Sequence, residues 1–446
     1  MIVLADAITQ AHWLSFYPGV ALYWQVFFYG VLGLILVSVL TNLVLAFAAH
    51  RMRKRRLSPP APEEFLWVFL VPALNEEVTI ADSVARLAQA DAPNKIILVI
   101  NDGSDDGTGR ILEDLDVPDL RVLTRTAPNA RLGKAAALND AWRYLHGLLR
   151  TDRYTKWSPE KVIVVVVDAD GRLSPDAPAA FSRHFARPEV GGVQTLVRIY
   201  NRRGWLTWAQ DVEFAIFGRL FQHGRALWGT ANMGGNGQAN RLRALDDIAT
   251  DAGPWRDRLT EDQDLGMRLL QRGWAGSQVL EATVEQQGVN SLRRLLRQRT
   301  RWAQGGWEAT SLAWKTHKLR AMWWAKVDAF VYLFTPVIQL VVLASFLSAI
   351  VLALTLDLSL WARTWPMIAL YLSLSFLPGI IGLLSRASSL GEKLLTLLLV
   401  IPYTFYSWLI LPVVVRALFR IVSGRSTWAK TAREPIEGVI TSVPER

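Results

Sequence analysis

Trp24 to Ala49 contains no charged residue. At about 1.5 Å of rise per helical residue, the stretch is long enough to cross a hydrocarbon core of roughly 30 Å. A single segment crosses lipid as a helix, because only then are its backbone polar groups satisfied internally. Directly behind it runs His50-Arg-Met-Arg-Lys-Arg-Arg56. Basic residues beside a span mark the cytoplasmic side and also meet anionic lipid, so the chain that follows is expected in the cytoplasm. With no basic leader and no clear cleavage pattern, the segment reads as a retained anchor rather than a signal peptide. Residues 1–22, with Trp13, Phe16 and Tyr17, fit a short interfacial helix ahead of it.

Composition agrees with a membrane protein that carries a large soluble domain. Of 446 residues, 51% are hydrophobic, 20% are charged and 19 are tryptophan. The formal charge of +10 would also suit nucleic acid. The basic cluster abuts a lipid-compatible segment, however, and no nucleic-acid partner is expected. The absence of cysteine excludes disulfides, thiol catalysis and thiolate-bound metals. Three more apolar segments, 329–354, 366–384 and 394–415, are expected to enter the membrane. Three spans would carry the tail outside, whereas Arg416, Arg420, Arg425, Lys430 and Arg433 favour the inside. A re-entrant segment, or an extra span within residues 1–22, would reconcile the two. The expected organisation is an interfacial segment and anchor (1–57), a soluble domain (58–307), interfacial helices with about three membrane segments (308–421) and a polar tail (422–446).

Within the soluble part, short apolar runs alternate with helical patterns: 65–71, helix 78–90, 96–100, helix 108–115, a strand near Val122, helix 134–148 and the run Val162–Val167. This pattern predicts an α/β domain with a mainly parallel sheet. Val162–Val167 is entirely β-branched, as in a strand buried on both faces. It ends in Asp168-Ala-Asp170. Ligands of open α/β sheets sit beyond the carboxyl ends of the strands, and two hard carboxylates there suit a divalent cation with its phosphate ligand. The plainer alternative is a solvated turn. Asn101-Asp-Gly-Ser-Asp-Asp-Gly-Thr108 follows another strand in the same way, and Trp228–Gly237 is a small-residue segment that can approach a ligand closely. Thr260-Glu-Asp-Gln-Asp264 opens a helix, with Thr260 and Gln263 placed for a capping box. Leu292–Trp302 mixes arginines with leucines, and can lie along a membrane or serve phosphates through residues such as Arg299 and Arg301. Asp102 can accept from a base or ribose, Lys134 can donate to phosphate, and Asp262 can deprotonate an acceptor hydroxyl.

These motifs, in this order, resemble the membrane-embedded, processive family 2 glycosyltransferases, the group of cellulose, chitin, hyaluronan and poly-N-acetylglucosamine synthases. The resemblance covers roughly residues 65–307 and rests on Pro72-Ala-Leu-Asn-Glu-Glu77, Asp102, Gly133-Lys134, Asp168-Ala-Asp170, Thr260-Glu-Asp262 and Gln298-Arg-Thr-Arg-Trp302. It implies a GT-A-type cytoplasmic domain on an α-helical transmembrane region in the plasma membrane. It also implies direct displacement with inversion at the anomeric carbon of a UDP-sugar. Pro72, Asn75, Glu76, Asp102, Lys134, Asp168, Gln298 and Arg301 would hold the donor. Asp168 and Asp170 would hold Mg²⁺ or Mn²⁺, and Asp262 would be the base. Trp302, Asn232 and Gly234 would lie at the acceptor, and Glu261 and Asp264 would be local structure or support the site residues from behind. The expected product is a growing polysaccharide, leaning to N-acetylglucosamine, passed across the membrane with or without an accessory subunit. A glucan or other hexose polymer, a single transfer to a lipid-linked acceptor, and an inactive scaffold are the alternatives.

Overall fold

The computed structural model describes residues 20–355, 376, 377, 379–385, 387 and 389–424. Nearly all of the expected interfacial segment, most of the 366–384 segment and nearly all of the polar tail lie outside the described residues.

An eight-stranded sheet forms the soluble domain. Its strands are β1 (Leu66–Ala73), β2 (Lys95–Asn101), β3 (Leu120–Thr124), β4 (Val162–Val166), β5 (Arg172–Leu173), β6 (Val190–Ile199), β7 (Gln238–Arg241) and β8 (Ala275–Gln286), in the order β3-β2-β1-β4-β7-β6-β8-β5. The first half is parallel, as the alternation predicts: β1 pairs with β2 and β4, and β2 with β3. The second half is mixed. β7 runs antiparallel between β4 and β6, β5 is antiparallel to β8, and only β6 and β8 are parallel. The sheet is therefore a mixed one rather than the mainly parallel one expected.

Strand β1 shows why the apolar runs fold this way. Alternate side chains point to opposite faces. Trp67, Phe69 and Val71 pack with Phe181 and Phe185 on one side, while Leu66, Val68 and Leu70 pack with Leu138, Ala141 and Leu145 on the other. Each large side chain so buried contributes about 1.5–3 kcal/mol, which makes this strand the spine of the domain.

Among the described residues, three helices are long and apolar enough to cross a membrane: Leu22–Arg53, Trp323–Leu352 and Leu390–Val422. The soluble domain lies between the first and second along the chain. The first is clamped to the domain where Gly224 meets the backbone of Leu45, leaving no room for a side chain. The second is tied by the buried pair Arg225–Asp328, with Nε–Oδ2 and Nη2–Oδ1 at 2.7 and 3.0 Å. The third is reached through Glu213 Oε2, which accepts from both Tyr406 and Arg299 at 2.6 Å.

Candidate functional site

The sheet delivers its acidic residues to one edge. Asp102 follows β2 and is buried, receiving the Arg125 guanidinium on Oδ1 together with the Arg131 backbone N–H at 2.9 Å. Arg125 was not singled out from sequence, where it is a lone arginine one residue past a strand. Nearby, Asn75 adopts a left-handed backbone (φ 55), donates its N–H to Ser104 Oγ and exchanges hydrogen bonds with Asp105. Glu76 is buried, and its N–H donates to Thr108 Oγ1 at 2.8 Å. Pro72 lies within β1. The loops after β1 and β2 thus form one wall.

Asp168 and Asp170 lie just beyond β4. Lys134, the first residue of the helix Lys134–Leu148, places Nζ 2.6 Å from Asp168 Oδ1 and 3.5 Å from Glu261 Oε1. Asp170 is buried and receives the Gln287 N–H on Oδ2 at 3.4 Å. Burial alone would lower Lys134, but Asp168, Glu261 and Asp262 outweigh it and hold the ammonium above its ordinary range.

Asp262 stands in the first turn of Glu261–Arg272. The expected capping box does not form. Thr260 offers no side-chain cap, and its hydroxyl donates instead to Gln263 Oε1 at 3.4 Å, while Asp262 Oδ1 accepts the Gln263 N–H at 2.8 Å. Burial, reinforced by the neighbouring Glu261 carboxylate, raises the Asp262 pKa from 3.8 to about 7, with Lys134 opposing the rise. Asp264, by contrast, is locked to Arg268 at 2.6 Å, a structural role like the one expected of it.

The small-residue segment closes over this carboxylate. Gly235 has φ +81, and a Cβ there would come within 2.8 Å of Asp262 Oδ2. Asn236 Oδ1 accepts the Asp168 N–H at 3.1 Å, and Gln194 grips the loop through the Gly234 N–H and the Asn236 carbonyl. Asn236 and Gln194 were also missed from sequence, although Asn236 sits inside the glycine-rich signal. Asn232 is buried against Gly266, its N–H donating to Gln222. It therefore fastens the loop to the acidic helix, whereas Gly234 is exposed on the open side.

Helix Leu292–Ala309 brings the remaining motif alongside. Its Gly305 packs against Thr260, Glu308 accepts the Leu259 N–H at 3.2 Å, and Gly306 abuts Pro336 of the second apolar helix. Gln298, Arg301 and Trp302 are half-buried on it, with Trp302 edge-on to Phe214. Arg299 does not face the acidic cluster as a phosphate donor. It is bound to Glu213 at 2.6 Å and lies over the Trp302 ring at 4.3 Å.

A mixed sheet whose strand ends carry paired aspartates, closed by a glycine loop and an acidic helix start, has a GT-A-like fold. The chain belongs to the family described as "Glycosyltransferase like family 2", whose model matches residues 65–305. It is similar to a beta-monoglucosyldiacylglycerol synthase of Synechocystis sp., 30% identical over 69% of this chain and 60% of that protein. It is likewise similar to one of Nostoc sp., 32% identical over 62% and 56%. A poly-beta-1,6-N-acetyl-D-glucosamine synthase of Staphylococcus epidermidis is 28% identical over 54% of each chain. The chain thus spans little more than half the length of the curated relatives it matches. Among solved structures, a mannosyltransferase from Pyrobaculum calidifontis, in complex with GDP-Man and Mn²⁺, shares the fold. Its TM-score is 0.53 at 18% identity, covering 89% of this chain and 98% of that one.

Proposed function

We propose that the chain is an inverting glycosyltransferase that takes a hexosyl or N-acetylhexosaminyl unit from a UDP-sugar on the cytoplasmic side of the plasma membrane. The observation that carries this reading is Asp262: a buried carboxylate with its pKa raised to about 7, under Gly235 and beside the Lys134–Asp168 pair. A base poised near working pH both exists in its active form and accepts a proton readily. Asp262 takes the acceptor hydroxyl proton as that oxygen bonds to the anomeric carbon and the bond to the diphosphate breaks. Lys134, Gln298 and Arg301 meet the diphosphate, and Asp102 with the Pro72, Asn75 and Glu76 loop holds the nucleoside. Trp302 stacks on the acceptor at the open side of Gly234, and Asn232 keeps the loop in place.

Asp168 and Asp170 suit Mg²⁺ or Mn²⁺. Two carboxylates are what a hard cation takes when substrate phosphates and waters complete its shell, and no cluster of three or more ligating side chains occurs among the described residues. When bound, the ion neutralises charge on the departing diphosphate.

For the acceptor, a membrane-lipid hydroxyl is the first reading. The relatives at 30–32% identity are named for glycolipid synthesis, and the helix carrying Trp302 rests on a membrane helix at Pro336. The processive polymer expected from the motifs is the second reading, supported by the poly-N-acetylglucosamine synthases at 28% identity. Radiolabelled UDP-glucose and UDP-N-acetylglucosamine, offered with diacylglycerol and Mn²⁺ to the purified chain, separate the two. A single-sugar glycolipid upholds the first, long product moves the assignment to the second, and no transfer from either UDP-sugar overturns the donor.

A further inference from the structure

Away from the acidic site, a cavity of about 330 Å³ opens between the end of the first apolar helix and the soluble domain, lined by Arg51, Lys54, Arg55 and Leu227. Three cations therefore share one small concavity. None of them forms an ion pair among the described residues. The carboxylate that Arg55 influences, Glu189, is already bound to Arg187 at 2.7 Å. Like charges gathered without a counter-ion repel one another, and an anion seated among them would relieve that repulsion.

The depth of the cavity says which anion. The helix Leu22–Arg53 ends here, and its preceding turns show Leu40, Leu43, Val44 and Phe47 at 61, 44, 40 and 65% exposure. That surface is compatible with acyl chains. Arg51 follows Phe47 by one helical turn, a rise of about 6 Å, which sets the cations at headgroup level when the apolar turns lie in lipid. Leu227 supplies an apolar wall, packed in one cluster with Met52, Leu57 and Ala226.

We infer that this cavity binds the phosphate of an anionic glycerolipid headgroup, fastening the soluble domain to the bilayer at a place separate from the acidic site. Arginine forks meet phosphate oxygens in pairs, and lysine adds a point charge. The other source of the same chemistry is free phosphate from solution.

The test is native mass spectrometry of the full chain in detergent with equal phosphatidylglycerol and phosphatidylcholine, followed by addition of inorganic phosphate. The wild type is expected to retain phosphatidylglycerol at least fivefold over phosphatidylcholine, and R51Q/K54Q/R55Q to lose that preference. R53Q/R56Q, which removes neighbouring charges that do not line the cavity, is expected to keep it. Equal retention by the triple variant, or equal loss in the control, overturns the site. Displacement of the lipid by millimolar phosphate overturns the lipid as its ligand.

Discussion

At the residue scale the central feature is the company Asp262 keeps. Burial and Glu261 push its pKa up to about 7, and Lys134 pulls it down. A base acts when deprotonated, so the transfer rate is expected to rise with pH through about 7 and then level off, as read from initial rates at saturating donor. Lys134→Met removes the cation that favours the ionised form, and the same limb should then move to higher pH. Stability carries the opposite sign. The folded chain holds this proton up to about 7 and the unfolded chain only to about 3.8. The carboxylate's contribution is therefore fullest below the lower value and is lost as pH rises through the upper one. The thermal midpoint of Asp262→Asn should gain on the wild type across that window, and a constant difference would show that the carboxylate is not strained by burial.

At the scale of elements, the loop that closes the site and the tie to the membrane helix give separate predictions. Gly235→Ala places a methyl group 2.8 Å from Asp262 Oδ2 at a φ of +81. The left-handed backbone costs about 1–2 kcal/mol, so the midpoint falls modestly while turnover falls at least tenfold. Removing one partner of the Arg225–Asp328 pair strands a buried charge, which costs about 3–5 kcal/mol. Asp328→Leu should lower the thermal midpoint strongly in detergent, and the double change Arg225→Met with Asp328→Leu should recover most of it. The elements that sequence reading recovered are those with local signals: the β-branched run of β4 and the helix starting at Lys134. The ones it missed lack them. Strand β7 is Gln-Ala-Asn-Arg, polar yet buried between β4 and β6. Strand β8 is broken by Gly, Gln and Glu. The partners of Asp102 and Arg299 lie 23 and 86 residues away in the chain, so no spacing rule reveals them.

At the scale of the molecule, helices long and apolar enough to cross a membrane and an α/β domain between them were legible, because uncharged apolar length and alternating runs are properties of the chain itself. The mixed half of the sheet was not, since antiparallel β7 is inserted by tertiary packing. The basic cavity emerges only when the end of one helix meets Leu227, a residue far along the chain. In the proposed reaction this domain uses Asp262 as the base of glycosyl transfer beside a membrane. The most direct measurement pairs equilibrium binding of a UDP-sugar with its transfer to acceptor, for wild type and Asp262→Asn. Loss of a general base removes about 10²–10⁴-fold in rate, so the variant should bind donor nearly as the wild type does while transfer falls by at least a hundredfold. A variant that retains more than about a tenth of the wild-type transfer rate would contradict that role for Asp262.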